Sequence, residues 1–383
     1  SLVRTDNKAD GYIQLDGAYS YGMKLAGQAL YVTSVDNAAK TDASYMTNNG
    51  LILISGSHDT GITSGYTNDG LTLTASTPRG SSAGMAKLQE AKWSSENTIF
   101  NNGKIYVGGY NNSGILLESI FNDKVTNTNT GDITIDQAYN LFNNPDNTVN
   151  YSNAIAKNNA GIRVQSYKSE SNDDKALGNP EGINKGIINI KNGTDNVGIY
   201  VLDEAGTIHD ANGKELIGNN TGKIYITGGD NIGMMAQDKS GTNNFKTIIK
   251  NSNLISVAGN GSIGMYTADK DSYAEQNDGS IKAYKNNIGV VNLGHFDFKK
   301  GTISADGINS VGVYSKTATS NTTLGSGTLG DTTLTVANGG VGLYADDSST
   351  QKLSGLTANV SGSSTAGSIL FYNLPLTTGG TAG

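Results

Sequence analysis

A pair of short strand-like signals recurs along nearly the whole chain, and no other property of the sequence restricts the fold as much. The first signal is a Gly or polar residue followed by alternating apolar residues. It reads Gly11-Tyr12-Ile13-Gln14-Leu15, Gly103-Lys104-Ile105-Tyr106-Val107, Gly186-Ile187-Ile188-Asn189-Ile190 and Gly222-Lys223-Ile224-Tyr225-Ile226, and Gly70-Leu71-Thr72-Leu73 reads as another copy. The second is apolar-Gly-apolar, often with Tyr behind it: Val197-Gly198-Ile199-Tyr200, Ile263-Gly264-Met265-Tyr266, Val311-Gly312-Val313-Tyr314 and Val341-Gly342-Leu343-Tyr344. Within most pairs the two glycines lie roughly eleven residues apart. Successive copies of the second signal are spaced more freely, by 23 residues from Gly289 to Gly312 and by 37 from Gly161 to Gly198. The unit is constant and its connections stretch.

A strand with alternating apolar residues has one face to bury. A unit of two or three such strands cannot bury it alone, whereas stacked units share a continuous core and leave variable loops at fixed corners. The expected fold is therefore all-β, a parallel β-helix (solenoid) forming a single elongated unit over 1–383. About eleven coils at about 4.8 Å each predict a piece on the order of 50 Å long. Glycine at a corner permits positive φ. Strict alternation through Val311–Ser315 puts Val311, Val313 and Ser315 inside, with Gly312 and Tyr314 outside. Tyr200, Tyr266, Tyr314 and Tyr344 then share one exterior line beside a glycine stripe. That line reads either as ordinary ladder stacking or as a flat aromatic strip open to a ligand.

The regular repeat is interrupted by loop excursions at 23–69, 117–156, 165–183 and 202–220, mostly in the N-terminal half. Within the first, Leu30-Tyr31-Val32 and Leu51-Ile52-Leu53-Ile54 are candidate strands. Met85 to Trp93 carries helix formers sufficient for one turn, although Ala83-Gly84-Met85 sits where a strand signal belongs. Aromatic residues of the less regular first half, Tyr45, Tyr66, Trp93, Tyr139, Tyr151 and Tyr167, are the candidate partner-binding residues. Such side chains bury much area at low entropic cost; the competing reading is that each pins its own loop to the rod.

Charged residues make up 16% and hydrophobic residues 36% of the chain, both low for a globular enzyme, while Gly is abundant at 51 of 383 residues. The net charge of −7 and the absence of a basic stripe argue against nucleic acid as a partner. With no cysteine, neither a disulfide nor a thiolate metal site is available, a composition that fits export in an unfolded state. No stretch has the apolar length of a membrane-spanning helix, so direct membrane insertion of this segment is not expected. The chain begins at Ser1 without a visible signal peptide. It reads as a processed piece of something longer, with flanking coils beyond its uncapped ends.

Catalytic motifs do not assemble. Asp173-Asp174 and Asp346-Asp347 are sequence neighbours, and neighbours on a strand face opposite ways. Arg4, Arg79 and Arg163 are scattered, as are His58, His209 and His295. Asp6-Asn7-Lys8-Ala9-Asp10-Gly11 echoes a calcium loop but lacks the later carboxylate. The expectation is a non-enzyme with no metal and no cofactor.

The Val-Gly-Ile-Tyr type of unit, with its Gly-Xaa-Ile-Xaa-Ile partner strands and Asn/Lys-rich loops, resembles the passengers of very large fusobacterial type V autotransporter adhesins. The likeness covers most of the chain and is best over 186–346. It implies a right-handed parallel β-helix displayed at the cell surface from the bacterial outer membrane, carried by a C-terminal β-barrel that this chain does not include. It further implies a monomeric passenger engaged in virulence-related attachment to host cells and in coaggregation. The partner would be a host receptor or a surface ligand of another bacterium, protein or glycan. Two alternatives share the shape: a polysaccharide lyase or glycoside hydrolase, and a purely structural stalk.

Overall fold

The computed structural model describes residues 4–15, 21–26, 45–54, 63–67, 70–74, 83–88, 98–119, 122–137, 156–166, 178–204, 213–240, 245–316, 320–324, 328, 330–346, 349–362 and 366–372. Every regular element among them is a strand. The chain visits three parallel sheets in turn, and each holds eleven strands. The first sheet runs from Arg4–Asn7 to Thr350–Leu353, the second from Tyr12–Leu15 to Leu356–Val360, and the third from Tyr21–Ala26 to Ile369–Tyr372. Each strand pairs with its counterpart one coil away, so like residues stack: Ile188, Ile224, Ile255, Ile281 and Ile303 form one column. The fold is a parallel β-helix.

All three sheets contribute to one dry interior. Leu216, Ile249 and Phe296 of the first, Ile224 and Ile226 of the second, and Ile199 and Val201 of the third belong to a single buried cluster. Each such side chain contributes roughly 1.5–3 kcal/mol by leaving water, and β-branched residues suit a pleated, half-buried surface.

The repeat unit has three strands, not the two that its signals announce. First-sheet strands such as Lys124–Asn127 and Glu181–Asn184 are short and polar, so each was hidden inside a supposed excursion. The predicted excursion 117–156 contains the rung Lys124–Asn127, 202–220 contains Glu215–Asn220 and 23–69 contains Tyr45–Asn48, while Asp132–Ile135 and Leu51–Ile54 are strands where the sequence pattern places them. Strand Glu181–Asn184 likewise opens inside 165–183. Gly70–Thr74, expected as a rung, instead pairs antiparallel with Thr63–Thr67 in a separate hairpin. Ala83–Leu88 is a third-sheet strand, and the helical turn does not form there. Leu30–Val32 lies outside the described residues.

The turn from first to second sheet is tight and is sealed by buried amides. Asn7, Asn48, Asn101, Asn127, Asn184, Asn220 and Asn251 each donate from Nδ2 to the side-chain oxygen of the next coil at 2.7–2.9 Å, ending on Gln276. From Asn48 to Asn251 these side chains are fully buried. Stacking lets every amide find both a donor and an acceptor where water is excluded. Beyond Gln276 the same register position holds Phe298 and then Leu324, and the polar seam becomes an apolar plug. A second buried seam precedes the third sheet. There Asn159, Asn196 and Asn231 accept through Oδ1 the backbone N–H of Asn112, Asn159 and Asn196 at 2.8–3.0 Å. Asp195, Asp230, Asn286 and Asn309 take positive φ one residue ahead of that seam, as expected of short polar side chains at turns.

The glycines of the second signal point inward, which corrects the expectation for Gly312. A Cβ on Gly312 would meet the interior Leu334 side chain at 3.1 Å and the Gly342 carbonyl oxygen at 2.6 Å. The next residue, Val313, is also fully buried. Two consecutive inward positions break the alternation, so Val311 turns partly to solvent instead of sharing the interior with Val313 and Ser315, while Tyr314 stays outside as expected. These glycines do not have positive φ. They are required because adjacent coils approach too closely for any side chain.

Candidate binding face

The break at each inward glycine gives the third sheet two outward columns per strand, three residues apart. One is β-branched: Val197, Ile232, Ile263, Ile288, Val311 and Val341 in continuous register. The other is mainly aromatic: Tyr200, Met235, Tyr266, Val291, Tyr314, Tyr344 and Tyr372. The expected tyrosine line is therefore real, with Met235 and Val291 set into it. Tyr314 and Tyr344 meet edge-to-face at 4.9 Å, and Tyr344 stacks on Tyr372 at 5.2 Å, so part of the column is a self-stacking ladder. Side by side, the columns form a flat apolar strip that runs along the rod.

One border of this strip is acidic. The Asp238 backbone N–H donates to Asp269 Oδ2 at 2.7 Å, and the Asp271 N–H and Ser272 hydroxyl donate to Asp269 Oδ1 at 3.1 and 2.8 Å. Burial pushes the Asp238 carboxyl up, opposed by hydrogen bonds from Ser240 and reinforced by Asp269 and Asp271. Burial also raises the Tyr266 phenol, with Asp269 adding to it. The Tyr200 phenol is pushed up to about 12 by burial, against the pull of Arg163 and with Glu204 and Asp269 behind it.

A concavity of about 300 Å³ lies on the first sheet and is lined by Tyr273, His295, Asp297, Asn321, Thr323 and Lys352 among others. Tyr273 and His295 are register partners whose rings stack at 4.3 Å and 6°. Lys246 Nζ sits 4.2 Å over the Tyr273 ring. This stack is an internal ladder more than an open aromatic platform. Glu275 is the register neighbour of Asp297, so this is where a pair of catalytic carboxylates would sit. Burial alone would raise Glu275, but Lys299 at 2.8 Å, Asn277 and Lys250 hold its carboxyl below the ordinary range. A general acid needs the opposite shift.

Of the aromatic residues singled out from sequence, Tyr45 and Tyr66 fall in described strands. Tyr45 opens a first-sheet strand between Arg4 and Thr98, and Tyr66 lies in the antiparallel hairpin, so neither is in a loop. Trp93, Tyr139, Tyr151 and Tyr167 lie outside the described residues, as do Asp173, Asp174, Asp347, Arg79, His58 and His209. Arg163 and His295 both occupy outward ladder positions. Among the described residues no group of three or more His, Asp or Glu side chains is placed to hold a metal ion. The β-branched outer column and the Tyr273–His295 stack went unread. Aligning the Asn-Xaa-Gly copies at Asn196, Asn231 and Asn287 on one register places the β-branched column at the middle residue of each; the strands that carry Tyr273 and His295 have no such motif.

Compared with known protein families, with curated proteins and with solved structures, the chain matches none. Fold and surface together define a class: an all-β solenoid of three parallel sheets with a flat apolar-aromatic outer face.

Proposed function

We propose that the chain is a surface-displayed adhesin segment of a bacterial outer-membrane autotransporter passenger, binding a host-cell or partner-bacterium surface ligand, protein or glycan. The observation that carries this reading is the outer face of the third sheet. This apolar strip lies outside the interior cluster, and most of its side chains are partly exposed. The reading extends to the sequence between Gln137 and Ala156, inside the expected excursion 117–156. Partners are held there without chemical change.

The experiment is attachment of the purified chain to epithelial cells and to other bacteria, repeated with Tyr266→Ser/Tyr314→Ser and with 138–155 replaced by a short turn. Attachment that falls in either variant, with unchanged thermal unfolding, supports the reading. Attachment equal in all forms leaves the stalk alternative. Release of reducing or unsaturated ends from polysaccharides would move the assignment to the lyase or hydrolase alternative.

A further inference from the structure

Arg163 heads the aromatic column of the third sheet, in register between Leu116 and Tyr200. Its guanidinium is poorly satisfied. Among the described residues Nε, which is buried, has no hydrogen-bond partner, and Nη2 has one long contact, 3.5 Å, to Asn111 Oδ1. Cζ lies 5.3 Å from the centroid of the Tyr200 ring. A guanidinium carries five N–H donors, and leaving a buried one unpaired is unfavourable. Burial lowers its pKa below the ordinary guanidinium value, with Tyr200 and Glu204 opposing.

The nearby acceptors are already engaged. Glu204 pairs with Lys239 at 3.6 Å, Glu118 accepts from Gln165 Nε2 at 2.7 Å, and Gln237 Oε1 takes the Tyr200 hydroxyl at 2.6 Å. Several lysines along the rod have carboxylate partners by contrast: Lys246 and Lys250 share Glu215 at 3.3 Å, and Lys299 has Glu275 at 2.8 Å. As a residue Arg163 is half-buried, at an outer position of the third sheet.

We infer that Arg163 is the anchor of a binding site for a peptide carboxylate, with the apolar body of that peptide lying along the column over Met235 and Tyr266. The planar fork matches a carboxylate, and Tyr200 backs it on one face. A monovalent carboxylate fits better than a phosphate dianion, because Glu204 and Asp269 lie close enough to raise the Tyr200 phenol. Met235 is two rungs from Arg163, about 10 Å along the rod, within reach of a dipeptide side chain. The site deepens the adhesin reading by naming the chemistry of the ligand on the same face, and it rests on that reading only for its biological setting.

The test is titration of the whole chain with N-acetyl-dileucine bearing a free C-terminal carboxylate, followed by the Arg163 Nε–H resonance. The acid is expected to shift that resonance, and the C-terminal amide of the same dipeptide to leave it in place. Arg163→Gln is expected to weaken binding about tenfold or more, and Arg163→Lys, which keeps charge but loses the fork, to weaken it less. Equal binding of acid and amide, or unchanged binding in Arg163→Gln, overturns the inference. If Arg163→Gln does not fold, the comparison of acid with amide on the unaltered chain decides. Glucuronate binding as tightly as the dipeptide acid overturns the part assigned to Met235 and Tyr266. Dipeptide binding without cell attachment removes the adhesin reading and keeps the site; attachment without dipeptide binding does the reverse.

Discussion

Asn184 donates from Nδ2 to Oδ1 of Asn220 across 2.8 Å, and neither side chain reaches solvent. Asn220 in turn donates to Asn251 at 2.7 Å. Removing one rung therefore strands two neighbours. Asn220→Ala leaves the Asn184 amide with one weaker acceptor, the Lys223 carbonyl at 3.3 Å, and takes the side-chain donor from Asn251. The expected loss is about 2–3 kcal/mol in urea unfolding. Asn219→Ala, on the outward side of the same strand, serves as control and is expected within about 0.5 kcal/mol of the parent chain. Equal effects at the two positions would mean that the seam contributes nothing beyond turn formation.

The inward glycines make a different demand. A Cβ on Gly233 would lie 2.5 Å from the Gly264 carbonyl oxygen and 3.1 Å from Ile255 Cγ2. Backbone of the next coil cannot yield without disturbing its own ladder. Gly233→Ala is expected to lower stability by about 3 kcal/mol, at the upper end of overpacking effects. Gly367→Ala, with nothing within 4 Å of the added carbon, is expected to be neutral in thermal unfolding. A neutral Gly233→Ala would show that the coils can separate locally.

Much of this was legible in the sequence, for a physical reason. Second-sheet strands such as Lys223–Ile226 alternate isoleucine with polar residues because one face is dry and the other wet, and that period survives in composition. First-sheet strands were not legible. Arg4–Asn7 and Lys124–Asn127 bury amides where apolar residues were sought, and Asn before Gly reads locally as an ordinary turn. The outer columns were half-read for one reason. Alternation assigns Tyr314 correctly, but it fails at Gly312-Val313, where close approach of coils forces two residues inward. Val311 was thereby placed in the core, and the apolar strip lost one of its halves. Tyr45 was sought in a loop because the strand it opens is too polar to be recognised.

The Tyr273–His295 stack makes stability depend on mild acid. Burial lowers the His295 pKa below the ordinary 6.5, with Lys246 also lowering it and Asp297 and Asp271 opposing. The folded state thus favours the neutral ring. Its contribution is fully present above the unfolded value near 6.5, and is lost as pH falls through the lower folded value. Melting temperature followed from pH 8 downward (roughly the range where histidine alone titrates) is expected to fall less steeply in His295→Gln than in the parent chain. Parallel curves would mean that His295 titrates as freely folded as unfolded.

Tyr200 gives the alkaline counterpart, and it reports on the binding face directly. Its phenol is raised from 10.0 to about 12, chiefly by burial, and its hydroxyl donates to Gln237 Oε1 at 2.6 Å. Ionisation would break that bond and place a second anion beside Glu204. Because the folded pKa lies above the unfolded one, the stability Tyr200 contributes is complete below pH 10 and declines as pH rises through 12. Tyr200→Phe is expected to cost about 1 kcal/mol at neutral pH through the lost hydrogen bond, and to flatten the decline between those two values. Tyrosinate absorbance should show one late-titrating residue fewer in the variant. A peptide carboxylate seated on Arg163 would weaken the one cation that opposes the shift, so saturating N-acetyl-dileucine should move the Tyr200 titration still higher. A downward movement would place the ligand elsewhere on the rod.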